Sequence, residues 1–178
     1  MPPITVVFVI TGLAVWVIGL AFLGVGAKQE EGQPSPLVTV GWIALVAGIV
    51  DLVNALWIIE KLFGGAASDT GVRLGGLATF YGLFFLIVGT ALVKGLNLKP
   101  VANLAVGVAL TPLAWWPFFD GTWMFQSILI VWAVAFLSVA TFVYGKLKPQ
   151  ILGSILVLTA IYTFLLPAAL LGAGHAIP

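Results

Sequence analysis

Apolar residues in this chain fall into six long runs, each closed by a short polar interruption. The first run covers about Ile4–Val25 and stops at Gly26–Pro36, where Lys28, Glu30, Glu31 and prolines cannot remain in hydrocarbon. The second covers about Leu37–Ile59 and closes on Glu60-Lys61, followed by the small, polar stretch Gly64–Arg73. The third, Leu74–Val93, leads into a basic joint, Lys94-Gly-Leu-Asn-Leu-Lys99-Pro100. Pro100 suits the first helical position of a fourth run, because its missing N–H would have had no partner there. That run ends near Phe119, before the tight turn signal Asp120-Gly121. The fifth run is Trp123–Tyr144, and a second Leu147-Lys148-Pro149 opens a sixth that ends near Leu171.

Each run has the roughly 20 mainly apolar residues that a spanning helix needs. The runs are continuous and lack the period-two alternation of a barrel strand. The pattern therefore predicts an all-α membrane protein with six transmembrane helices, forming a single six-span domain over residues 1–178. The first run lacks a charged leader region and is as long as the others, so it reads as a retained span. Pro112, Pro117 and Pro167 are expected to kink or end their helices.

Composition strengthens this reading. The chain is 62% hydrophobic and 7% charged, where a soluble domain carries about 25% charged residues. There is no cysteine, which excludes structural disulfides and thiol chemistry. The net charge of +1 is spread thinly, with no basic cluster for nucleic acid. No His/Asp/Glu grouping suggests a metal, no glycine-rich loop suggests a nucleotide, and no nucleophile has a base in view. Neither an enzyme nor a cofactor is expected.

The few charges do carry orientation. The first, third and fifth loops hold Lys28, Lys94, Lys99, Lys146 and Lys148, five in all, against two, Lys61 and Arg73, in the second and fourth. Positive charge favours the cytoplasm, so both termini should face outward. The basic joint then divides the chain into two halves of three spans each, and an odd number inverts the second half relative to the first. Inverted halves are a common plan among transporters, with the solute path between them.

Several polar or aromatic residues stand out within the runs. Asp51 is the acidic residue well inside a span, with Asn54 and Gly48 on the same helical face. A carboxyl at that depth is expensive, and is either part of a functional site or hydrogen-bonded to a neighbouring helix. In the fifth span Phe125, Trp132 and Phe136 form a stripe, which on composition alone is most simply packing or lipid-facing bulk. Trp123, Trp115 and Trp116 fit an interfacial belt. The sixth span holds Ser154, Thr159, Tyr162 and Thr163, of which the last three, one turn apart, could line a polar path, bond to neighbouring helices or bond back to their own backbone. Gly75, Ala78, Gly82 and Gly89 make a small-residue ladder in the third span, beside Tyr81 and Phe85. His175 reads as a tail residue.

At Thr79-Phe-Tyr-Gly82, at Gly95-Leu-Asn-Leu-Lys-Pro100 and at the end of the fifth span, the chain resembles the AmiS/UreI family. Members of that family are small six-helix inner-membrane channels for urea and short amides, assembled as hexamers of independently conducting protomers. By this resemblance the channel lining falls on Tyr81, Phe85, Phe125, Trp132, Phe136, Ile155 and Thr159. Gly12 and Gly19 match glycines of the family's first span. The chain departs from the family at Ile18, where an Asn is usual, at Ile155, where the urea branch has a carboxylate, and at Leu129, where a Trp is usual. It also lacks the outward-loop histidines of the acid-gated branch.

Residues and resemblance together predict a passive channel for a small neutral solute of the urea or short-amide class. The predicted setting is a bacterial inner membrane, with the bilayer and copies of the same chain as partners. Two alternatives stay open. One is a proton-coupled carrier of small carboxylates, with Asp51 as its proton site. The other is a non-transporting assembly subunit.

Overall fold

In a computed structural model, which describes residues 4–63 and 69–178, the chain is helical throughout its spans. The helices are α1 (Ile4–Phe22), α2 (Pro36–Phe63), α3 (Asp69–Lys94), α4 (Lys99–Leu110), α5 (Trp123–Val143), α6 (Pro149–Thr159) and α7 (Leu166–Gly172). A 3-10 segment, Thr111–Phe119, extends α4, and a π-helical segment, Ala160–Leu165, joins α6 to α7. Counted with these extensions, the described residues hold six helices long and apolar enough to cross a membrane. The described residues contain no strand.

Local chemistry explains the ends. At the basic joint the Leu96 N–H reaches back to the Ala91 carbonyl at 2.8 Å, and Gly95 takes φ +63°. This is the left-handed helix stop for which glycine carries no side-chain penalty. Asn97 Oδ1 then accepts the Lys99 N–H at 2.9 Å, and Pro100 follows in the first turn of α4. The same stop closes α5, with Gly145 at φ +73° before Pro149 starts α6. The two Leu-Lys-Pro joints are therefore built alike.

The third helix starts earlier than its apolar run. Residues 69–73, expected as loop, form its first turn, while residues 64–68 of that loop lie outside the described residues. Asp69 stands at the positive end of the helix dipole, with Arg73 one turn on at 3.7 Å. The prolines act differently from one another. Pro112 opens the 3-10 segment of the fourth span, whereas the sixth span runs on past Pro167. A proline cannot donate to the carbonyl four residues back. The wider π turn just before Pro167 takes up that lost bond without ending the helix.

Each span packs on its neighbours in the chain, and the first closes on the sixth, which makes a ring of six. The packing pairs correspond between the halves: α1 on α2 as α4 on α5, α2 on α3 as α5 on α6, and α1 on α6 as α3 on α4. The α2–α3 contact is the most extensive. Gly41, Gly48 and Ala55 of α2 face Gly89, Gly82 and Gly75 of α3 in antiparallel register. A methyl group added at Gly48 would sit 2.7 Å from the Gly82 carbonyl oxygen and closer still to the Leu86 backbone nitrogen. At the glycine pairs the two backbones touch, and no side chain fits there. Gly19 and Gly153 do the same between α1 and α6. The outer side of α2 carries a separate apolar stripe, Val46, Ile49, Val53 and Leu56, all exposed.

Candidate functional site

Inside the ring lie two apolar cavities. The larger, about 90 Å³, opens toward the end of the ring where α1, α3 and α5 stop, between Phe22, Leu98 and Val143. The smaller, about 30 Å³, lies toward the opposite end, between Ile4, Leu74 and Phe119. Both exceed the roughly 10–15 Å³ that one water requires. Trp132 and Phe164 line both cavities and stand between them, their rings stacked 5.2 Å apart. Spans one, three, four, five and six contribute walls, while α2 contributes none.

The rings at the divide support each other. Tyr81 meets Trp132 edge-on at 4.4 Å and stacks on Phe136 at 5.5 Å, and Phe84 meets Phe136 at 4.7 Å. On the other side Phe164 touches Phe8, which reaches Phe125, which stacks on Phe119 at 4.7 Å. Edge-to-face and offset pairs each add about 0.5–1.5 kcal/mol beyond area burial. Hydrogen bonds fix the central ring: the Trp132 indole N–H donates to Thr163 Oγ1 at 2.7 Å, and the Thr163 hydroxyl donates to the Thr159 carbonyl at 2.7 Å. Tyr162 and Ser127 join α5 to the π segment at 2.6 Å. Ser127 gives its proton to the Met124 carbonyl, so Tyr162 is the donor between them.

This ring of helices is the urea-channel fold. The chain is similar to the Helicobacter pylori urea channel in its closed state, determined by electron cryo-microscopy. The TM-score is 0.81 over 98% of this chain and 100% of that one, at 15% identity. A crystal structure of the urea channel from the same pathogen gives 0.77 over 97% and 99%, also at 15% identity. No sequence-family model matches the chain, and no characterised protein matches it by sequence. The resemblance read from the residues thus holds at the level of the fold.

Six of the seven candidate lining residues stand on the cavity walls. Phe85, Phe136 and Thr159 line the larger cavity, Tyr81 and Phe125 the smaller, and Trp132 both. Ile155 is the exception. The inward face of α6 is Leu152, Leu156 and Thr159, spaced by helical turns, and Ile155 is rotated off it, half-buried against its neighbours. The departures from the family at Ile18 and Leu129 do fall on the walls, in the larger and the smaller cavity respectively. At these two positions the cavity walls are therefore aliphatic.

Asp51 and Asn54 do not form one polar site. The Asn54 amide donates to the Val50 carbonyl of its own helix at 2.8 Å. Asp51 is fully buried, with Oδ2 accepting the Thr11 hydroxyl at 2.5 Å and Oδ1 unpartnered among the described residues. Thr11 lines the smaller cavity, which places Asp51 one residue behind the wall. Among the wall residues that the sequence does not single out, Thr11 and Phe164 are instructive. Thr11 is one hydroxyl in an apolar run with nothing to mark its face. Phe164 faces inward because the π turn rotates it there, and its one clue is Pro167 three residues on.

Proposed function

We propose that the protein is a passive inner-membrane channel for a small neutral solute of the urea or short-chain amide class. The observation that carries this reading is the aromatic divide between two cavities inside one protomer, on a fold shared with a urea channel. Apolar walls offer an ion nothing in exchange for its water, a cost of many kcal/mol, whereas a neutral planar amide loses only a few hydrogen bonds. Trp132 already spends its N–H on Thr163. Tyr81, at the same level, makes no protein hydrogen bond through its hydroxyl among the described residues, so it is the group that would hand an amide across. With Tyr81 and Trp132 in contact the path is shut, and transit requires these rings to part.

Both termini are proposed to lie outside, on the five-to-two lysine and arginine count. The cysteine variant Ala176→Cys should then react with an impermeant reagent from the outer side, and reaction only after permeabilisation would reverse the orientation. The exposed apolar stripe on α2 suits a ring of identical chains, a hexamer by the family resemblance. A stable monomer mass in mild detergent would contradict that assembly. Nothing in the site calls for catalysis.

The test of function is solute uptake by proteoliposomes. Urea, formamide and acetamide should enter faster than into protein-free vesicles, unchanged when a proton gradient is imposed or collapsed. Entry at the protein-free rate would reject the channel. A specific observation favours one competing reading: Asp51, behind Thr11, is placed where a proton-coupled carrier would keep a proton. Uptake of acetate that collapses with the proton gradient would establish that carrier instead.

A further inference from the structure

A third cavity lies outside the path. It is a groove of about 410 Å³ between α1 and α2, where the two helices leave the apolar layer. That volume falls in the range of built ligand sites, about 300–1,000 Å³. Its apolar side comes from Leu20 and Ala21 on α1 and Val40 and Ile43 on α2, and its polar side carries Lys28, Glu30, Gln33 and Thr39. The rim is folded: the Gln29 amide donates to the Gln33 carbonyl at 2.6 Å and to the Glu30 carbonyl at 3.3 Å, and Pro36 starts α2 directly after it.

Lys28 and Glu30 line the same groove without pairing with each other, the ion pair recorded among the described residues being Arg73–Asp69. Two opposite, unpaired charges over an apolar slot at the membrane boundary match a molecule with an anion, a cation and a hydrocarbon chain.

We infer that this groove binds a phospholipid with a primary-amine zwitterionic headgroup, of the phosphatidylethanolamine kind. Lys28 meets the phosphate, Glu30 accepts from the ammonium, and one acyl chain lies along α1 and α2. A primary ammonium gives Glu30 a charge-assisted hydrogen bond. The quaternary ammonium of phosphatidylcholine cannot donate one, and phosphatidylglycerol offers Glu30 only neutral hydroxyls and no cation to offset its charge. Simple snorkelling of Lys28 to the interface would use any phosphate equally and leave Glu30 idle. The inference is independent of which solute crosses the protomer.

The assembled full chain, purified in mild detergent, is mixed with equal amounts of phosphatidylethanolamine, phosphatidylcholine and phosphatidylglycerol. Lipid retained per protomer is then read by native mass spectrometry. The wild type should retain phosphatidylethanolamine preferentially. Glu30→Gln and Lys28→Gln should each weaken that retention roughly tenfold, the loss of one charge-assisted hydrogen bond. Both positions are exposed on a loop, so neither variant should lower the thermal midpoint in lipid-free detergent. Ala21→Phe, which fills the slot and keeps both charges, should also lose retention. Equal retention of the three lipids by the wild type, or unchanged preference in Glu30→Gln, would overturn the inference.

Discussion

The α2–α3 pair and the pair of α5 with the sixth span are equivalent in the two halves of the chain, yet they are built in opposite ways. Between α2 and α3 the backbones touch, through glycines and an alanine spaced two helical turns apart on each helix. Between α5 and the sixth span the contacts are side chains: the Trp132 indole on Thr163, Tyr162 on Ser127, and Trp132 stacked on Phe164. At its glycines the first pair leaves no space for a side chain. The second leaves cavities on both sides, walled by aromatic rings. One packing pair is therefore a spine closed backbone to backbone, and its counterpart walls the two cavities.

Substitutions can break this contrast from either side. The largest effect should come from the spine. Gly48→Leu forces a side chain against the Leu86 backbone, and overpacking of this kind costs about 1–3 kcal/mol or more. Thermal unfolding in detergent should show a marked loss of stability with aggregation, and a stable Gly48→Leu protein would mean the helices are not held backbone to backbone. The contact behind the wall comes next. Asp51→Ala leaves the buried Thr11 hydroxyl without its partner, at about 1–3 kcal/mol. Asp51→Asn keeps an acceptor for Thr11 and should cost clearly less, so equal losses in the two variants would show that the Thr11 bond contributes nothing. The smallest effect belongs to Tyr162→Phe, which removes one hydrogen bond to Ser127, worth about 0.5–1.5 kcal/mol. Its unfolding midpoint should drop only slightly.

The same contrast explains how far the sequence could be read. Span number and order follow from hydropathy alone, because lipid demands long apolar helices. The glycine ladder of α3 is also visible, since backbone contact tolerates so few residue types. Ends are less legible: Asp69–Arg73 is polar and reads as loop, although a carboxyl in the first turn and an i,i+4 pair make it a good helix start. The wall is legible where a straight helix keeps its phase, as at Phe125, Trp132 and Phe136. It fails at Ile155, because carrying a role across by position ignores which face of α6 turns inward. It fails again at Phe164, because the π segment changes the phase partway along the sixth span. Asp51 was visible as unusual, but its partner Thr11 sits 40 residues away on another helix.

Trp132 is where the account is most exposed. It lines both cavities, contacts Tyr81 and Phe164, and is held by Thr163. The decisive measurement is amide flux and thermal stability on the same Trp132→Ala protein in proteoliposomes. If the ring closes a path, its removal joins the two cavities. Urea and acetamide should then enter faster and larger amides should follow with less discrimination, even though the lost indole contacts lower stability. If the ring is only packing, the lost side chain leaves a cavity costing about 3–5 kcal/mol. Stability would then fall with flux unchanged or lower, and the aromatic divide would not be the path.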